Sequence, residues 1–207
     1  MRNKFILALC LCFSLMLSKD LLADSPLTST YFASFYYEYP MVATAETTRA
    51  LNDDIMAFLA SDEQLIDVKA AVINAIGWSY DGTKNAEMFW NYLARKHATT
   101  SESLSYALLS AHELFCYGYL MAMDDYFNVA NAVEVLKLAT TKDNTSYTIH
   151  MVLAMTEAQM SMDYDWCGVW KSMRAVLNNT TLKRDIKTAA IQSVVDYMIL
   201  YKSSCYE

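Results

Sequence analysis

The chain has 207 residues, 55% of them hydrophobic and 19% charged, with 16 Lys and Arg against 23 Asp and Glu for a formal net charge of −7. Such an acidic chain repels nucleic acid and anionic lipid faces, and no basic stripe interrupts it, so nucleic acid is excluded as a partner. With 4 Gly and 2 Pro there is little material for tight β-hairpin turns, which excludes a strand-rich fold and sets the class as all-α.

The first segment reads as a secretory signal peptide. Arg2 and Lys4 give a positive start, Phe5–Leu17 is an apolar run broken only by Ser14, and Leu21-Leu22-Ala23 offers a small residue for cleavage before Asp24. The run is too short for a membrane span of roughly 20 residues, so no stable span is expected after cleavage. The expectation is an exported chain, periplasmic or secreted, of a bacterial cell envelope. Removing 1–23 leaves 24–207 as a single domain, with 13 basic against 22 acidic side chains, or −9.

Tyr31, Phe32, Phe35, Tyr36, Tyr37 and Tyr39 crowd the start of this domain. On a helix, Phe32, Phe35, Tyr36 and Tyr39 share one face, suited to covering the end of a helix array. Pro40 marks a break, and Met41–Leu59 follows as one long helix or two short ones. Asp67–Trp78 has a helical stripe of Val68, Ala71, Val72, Ala75 and Ile76, small residues for close packing, and Gly77 to end it. A turn at Tyr80–Thr83 separates it from Ala86–Arg95, with Met88, Phe89, Tyr92 and Leu93 inward and Trp78 and Trp90 packing across the turn. A helix is expected from Ser101 to about Tyr119, another over Asn128–Leu138 with Val129, Ala132, Val133 and Leu136 inward, then Asn144–Met162, Trp166–Leu177 and Leu182–Lys202. Connections of two to six residues fit neighbouring antiparallel helices.

One stretch recurs. Asp67-Val68-Lys69-Ala70-Ala71-Val72-Ile73 returns as Asp185-Ile186-Lys187-Thr188-Ala189-Ala190-Ile191, with weaker copies at Ser103–Leu109 and Ser146–Val152. Thr99-Thr100, Thr140-Thr141 and Thr180-Thr181 recur as links between amphipathic runs. The period, roughly 40 residues, lies in the two-helix repeat range. On these residues the chain resembles HEAT-like helical repeat proteins. That resemblance implies three to four antiparallel helix pairs stacked as a short right-handed α-α superhelix; the alternative is an irregular helical bundle without true repeats. It also implies that the second helix of each pair lines a concave face, which makes Asn91 and Arg95, Glu134 and Lys137, and Lys171 and Arg174 the candidate partner-binding residues.

Catalytic patterns are missing. His112 and Cys116 share a helix face beside Glu113, but a metal site needs three or four converging ligands and the His-Glu-x-x-His pattern is not completed. His97 sits near a helix end, where terminal carbonyls are its expected partners, and His150 stands where the repeat has Ala71, as a helix-contact residue. The paired acidic residues, such as Asp124-Asp125 and Asp163 with Asp165, fit helix starts. Of Cys116, Cys167 and Cys205, at most one pair can bond: Cys116–Cys167 or Cys167–Cys205, with buried free thiols as the other reading. Trp166 and Trp170 lie on one face, in the core by default and a partner hot spot if turned outward. The expectation is therefore a non-catalytic scaffold or inhibitor that binds a protein and needs no cofactor. The alternative is a glycan-binding or glycan-processing protein using surface Tyr, Trp and carboxylates.

Overall fold

The computed structural model describes residues 25–79 and 82–205. Residues 1–23, where a signal peptide and its cleavage are expected, lie outside the described residues, as do Tyr80 and Asp81. Nine α-helices run through the described residues: α1 Pro40–Thr48, α2 Asp53–Ala60, α3 Ile66–Ile76, α4 Asn85–Lys96, α5 Ala111–Asp124, α6 Ala130–Lys142, α7 Tyr147–Ser161, α8 Trp166–Asn178 and α9 Thr188–Met198. Short 3-10 helices, Ala33–Tyr36 and Ile199–Ser204, precede α1 and follow α9. The extended backbone pairs only at one parallel bridge among the described residues, Ser146 with Lys183. The fold is all-α, and no helix among the described residues is long and apolar enough to cross a membrane.

The centre is built from α3, α5 and α7, each of which meets the other two. Ten of the eleven residues of α3 are buried, which marks it as a helix enclosed on all sides rather than a surface helix with one apolar stripe. Ala70, Ala71 and Ala75 are what allow that enclosure. On α5, Gly118 plays the same part: a Cβ there would stand 2.9 Å from Leu136 Cγ of α6. The three central helices run parallel. Lys69 near the start of α3 meets His112 near the start of α5, at 3.2 Å, and Asn74 further along α3 meets the Tyr119 hydroxyl further along α5, at 3.3 Å. The start of α7 joins the same end. Thr148 N–H donates to Asp185, the Lys187 N–H donates to the Tyr36 hydroxyl, and that hydroxyl donates to Asp67 on α3. The remaining helices pack around this centre, α4 on α5, α6 on α5 and α7, α8 on α7, and α1 on α3.

Local signals set most of the helix limits. Ser110 and Glu113 form a reciprocal capping box at the start of α5, Asn52 caps α2, Ser146 caps α7 and Asp165 caps α8. Gly77, at φ 77°, ends α3 as its position predicts. Arg49, at φ 51°, breaks Met41–Leu59 into two helices. Two caps come from distant chain. Asp185 Oδ1 accepts from Thr148 N at 2.8 Å, and Asp124 Oδ2 accepts from Ala86 N at 2.7 Å, in the first turns of α7 and α4.

Several sequence expectations fail here for physical reasons. Ser101–Ser110 is not helical; its turns are held by bonds such as Leu104 N–H to Thr100 O and Trp90 Nε1–H to Ser101 O, and the helix waits for the Ser110 cap. Asp67 is the second residue of α3, whereas Asp185 lies in the connection before α9, so the two matching stretches are not equivalent structures. Thr140-Thr141 belongs to the last turn of α6 rather than to a link. In a file of helix pairs each pair meets only its neighbours. Here α3 meets α7 directly and the first 3-10 helix meets α9, so the pairs do not stand in file as the resemblance implies. The aromatic start forms that 3-10 helix, with Phe32 and Tyr36 buried and Phe35 exposed. Met88 is exposed, Trp78 packs edge-on against Tyr126, and Trp90 packs against Tyr106 and Tyr117.

Candidate functional site

The six candidate partner residues fall on three helices. Asn91 is half-buried and its Oδ1 accepts from the Ser101 hydroxyl, so it serves the turn after α4. Arg95 is exposed, its guanidinium 5.7 Å from the Tyr92 ring centre. Glu134 and Lys137 are exposed and paired with each other at 3.2 Å. Lys171 and Arg174 are exposed on α8, and Arg174 lines a shallow cavity with Trp170 and Lys202. No hydrogen bond or ion pair joins one of these pairs to another among the described residues.

Titratable groups gather instead at the end where α3, α5 and α7 begin. Lys69 is wholly buried, and among the described residues the hydrogen-bond partner of its Nζ is Nδ1 of His112. Burial lowers the Lys69 pKa below the usual lysine value; burial, and then the Lys69 charge, lower that of His112. Glu113 is buried, which by itself would raise its pKa. Bonds from Lys96 Nζ at 2.8 Å, from the Ser110 N–H and from His97 outweigh that and hold it low. His97 therefore pairs with a carboxylate as well as ending α4. His150 Nε2 and the Tyr147 hydroxyl are buried without a hydrogen-bond partner among the described residues. No group of three or more metal-ligating side chains converges among the described residues.

Cys167 and Cys205 are joined by a disulfide, which fastens the last 3-10 helix to the start of α8. Cys116 is a buried free thiol whose Sγ–H points to Leu59 O, and burial pushes its pKa up to about 12. Burial and the raised pKa favour the neutral thiol over the reactive thiolate.

The opposite end carries a different surface. The connection between α5 and α6 presents Phe127 at 81% exposure, that between α7 and α8 presents Tyr164 at 73%, and the first residue of α8, Trp166, is 60% exposed. A groove of about 430 Å³ runs between them, lined by Tyr126, Phe127, Val129, Met160, Met162 and Trp166 among others. The Trp166 indole N–H donates to Met162 O at 2.9 Å, so the ring is held in place with its one polar group already satisfied. Phe127 is backed by Tyr126, ring centres 4.2 Å apart. Trp170, four residues on, is buried, so the two tryptophans divide between surface and core. On the other side of Asn128 lies a second groove of about 390 Å³, lined by Trp90, Tyr117, Glu87, Asp124 and Asp125. Both oxygens of Asp124 are engaged there, by Ala86 N–H and Asn85 Nδ2–H, and burial raises its pKa.

Compared with known proteins, the chain matches no family model, no curated protein and no solved structure. The functional reading therefore rests on these residues.

Proposed function

We propose that this is an exported, non-catalytic protein that binds another protein through the aromatic end formed by the α5–α6 and α7–α8 connections. One observation carries the reading: Phe127 and Trp166 stand exposed on one groove instead of entering the core, and Tyr164, two residues before Trp166, is exposed as well. Burying an aromatic side chain of this size is worth on the order of 1.5–3 kcal/mol, so leaving both groove rings in water forgoes stability that a partner can supply. Exposed aromatic anchors beside a groove are what interface hot spots use. The satisfied Trp166 indole favours an apolar protein contact over a sugar, which would be read by hydrogen bonds as well as stacking.

The test is a photo-crosslinking residue placed at position 127 or at position 171 in the chain expressed in its own cell envelope. A discrete adduct from position 127 and none from 171 supports the aromatic end. An adduct from 171 alone would return the interface to the Lys171 and Arg174 face, and none from either would remove the protein-binding reading.

A second reading, glycan binding, rests on Trp90 and Tyr117 lining the neighbouring groove with Asp125 at its edge. Oligosaccharide titration monitored at the Trp90 indole signal tests it.

A further inference from the structure

The aromatic end is also the end at which α3, α5 and α7 finish, at Ile76, Asp124 and Ser161. The negative dipole ends of these three helices lie there beside the positive ends of α4, α6 and α8, which start at the same end, so the dipoles offset one another. The sign of this surface is therefore set by its side chains, and none of the three central helices has a basic residue in its last turn. Asp163 is exposed on the groove of Phe127 and Trp166, Asp125 is exposed on the neighbouring groove two residues before Phe127, and their side chains make no hydrogen bond or ion pair among the described residues. Among the residues lining the two grooves the cation is Lys84, and it is paired with Glu87 at 3.4 Å.

The start of the same three helices is handled otherwise. There Asp67 and Glu113 sit in first turns, and Asp185 caps α7, so the positive dipole ends are matched by acidic groups within the chain. The two ends thus differ in their side chains: at the end with the exposed aromatic rings, Asp125 and Asp163 are left without a side-chain partner among the described residues.

From this we infer that the partner is cationic: a protein segment bearing Lys or Arg side chains around an apolar anchor, the anchor entering the groove between Phe127 and Trp166 and the cations facing Asp125 and Asp163. This inference rests on the protein-binding reading above and adds the chemistry of the partner. Charge complementarity of this kind speeds encounter and rejects acidic partners.

The probes are two synthetic amphipathic peptides with identical apolar positions, one with lysine and one with glutamate at every polar position. Each is titrated into the disulfide-bonded chain from residue 24 onward while the Trp166 indole and Phe127 amide signals are followed by NMR. The lysine peptide is expected to shift both signals, with affinity falling about tenfold or more between about 50 and 500 mM salt. In the Asp125→Asn/Asp163→Asn variant, whose changed side chains hold no structural bond, that affinity is expected to drop about threefold to tenfold. Equal binding of the glutamate peptide overturns the cationic partner and leaves the binding face standing. Shifts of Trp166 on raising protein concentration alone make the occupant a second copy, and shifts by an oligosaccharide with neither peptide binding make it a glycan; both overturn the inference. No response at Trp166 to any probe overturns it too. Crosslinking from position 127 then decides whether the binding face itself survives.

Discussion

Lys69 of α3, buried from solvent, stands 3.2 Å from Nδ1 of His112 on α5, and no carboxylate among the described residues bonds to either side chain. Two basic groups share this contact, so protonating both is opposed by burial and by their mutual repulsion. Asp62, Asp143 and Asp185 act on His112 from a distance in the other sense, and Lys96, Glu113 and Cys116 are the further groups around Lys69.

Stability is therefore expected to fall on mild acidification. The folded pKa of His112 lies below the usual histidine value, so the unfolded chain takes up its proton first as pH falls. The contribution is present above the unfolded value of roughly 6.5 and is lost as pH falls from there towards the folded pKa. Raised carboxylates such as Asp67 and Asp124 work in the opposite direction, so the comparison must isolate the histidine. Thermal melting between about pH 8 and pH 5 is expected to decline for the native chain and to flatten in His112→Gln, while Lys69→Met shrinks the decline by removing the neighbouring charge. Parallel declines in all three would remove the pair from the acid response.

Asn74 ties the N-terminal segment to the core. Its Oδ1 accepts from Phe32 N–H at 2.8 Å and Ala33 N–H at 2.9 Å, and its Nδ2 donates to Thr30 O and the Tyr119 hydroxyl. Asn74→Leu keeps the volume and strands two buried amides, at a cost of about 2–4 kcal/mol. At this size each kcal/mol lowers the melting point by about 2–4 °C. Hydrogen exchange gives the local signature: the Phe32 and Ala33 amides should lose protection first, and a uniform loss across the chain would contradict a local tie.

The end of α4 holds a residue that its geometry does not favour. Ala98 has φ 52°, with its N–H on Arg95 O and the Thr99 N–H on Ala94 O, the double bond pattern in which glycine is usual. Ala98→Gly is expected to raise stability by about 0.5–1 kcal/mol, the relief of the left-handed conformation exceeding the added freedom of the unfolded chain. Chemical denaturation with an unchanged slope and a higher midpoint is the outcome that fits. A lower midpoint would show that the Cβ contributes packing.

What the sequence made legible was local. The scarcity of glycine and proline, the stripe over Asp67–Trp78 and the position of Gly77 led to the all-α class, to α3 and to its end. Ser110-Ala111-His112-Glu113 carries a capping box that would have moved the start of α5 to its true place, had it been weighed above the apolar run before it. The repeat misled because Asp67 and Asp185 do different jobs, one opening its own helix and the other capping α7 across 37 residues of chain. A motif match cannot report that a carboxylate serves a helix other than the one that follows it. The candidate contact residues came from an assumed concave face, and the structure assembles its exposed aromatic surface elsewhere. Phe127 and Tyr164 lie in connections, where periodicity carries no information, and Trp166 opens a helix whose next tryptophan, Trp170, is buried.

The same aromatic end separates folding from binding. Phe127 and Trp166 are 81% and 60% exposed, so truncating them removes little packing. The double variant Phe127→Ala/Trp166→Ala should melt within about 1 kcal/mol of the native chain, as surface substitutions away from caps and core do. The Trp166 N–H to Met162 O bond lost in the process is exposed and adds only a small share. Binding of the lysine peptide, and crosslinking from a neighbouring position such as Asn128, should in contrast fall about tenfold or more, the usual consequence of removing central aromatic anchors. Retained stability with lost binding assigns the two rings to a partner. A drop of several kcal/mol would instead assign them to the fold, with the groove as a seam between the α5–α6 and α7–α8 connections that the rings hold shut.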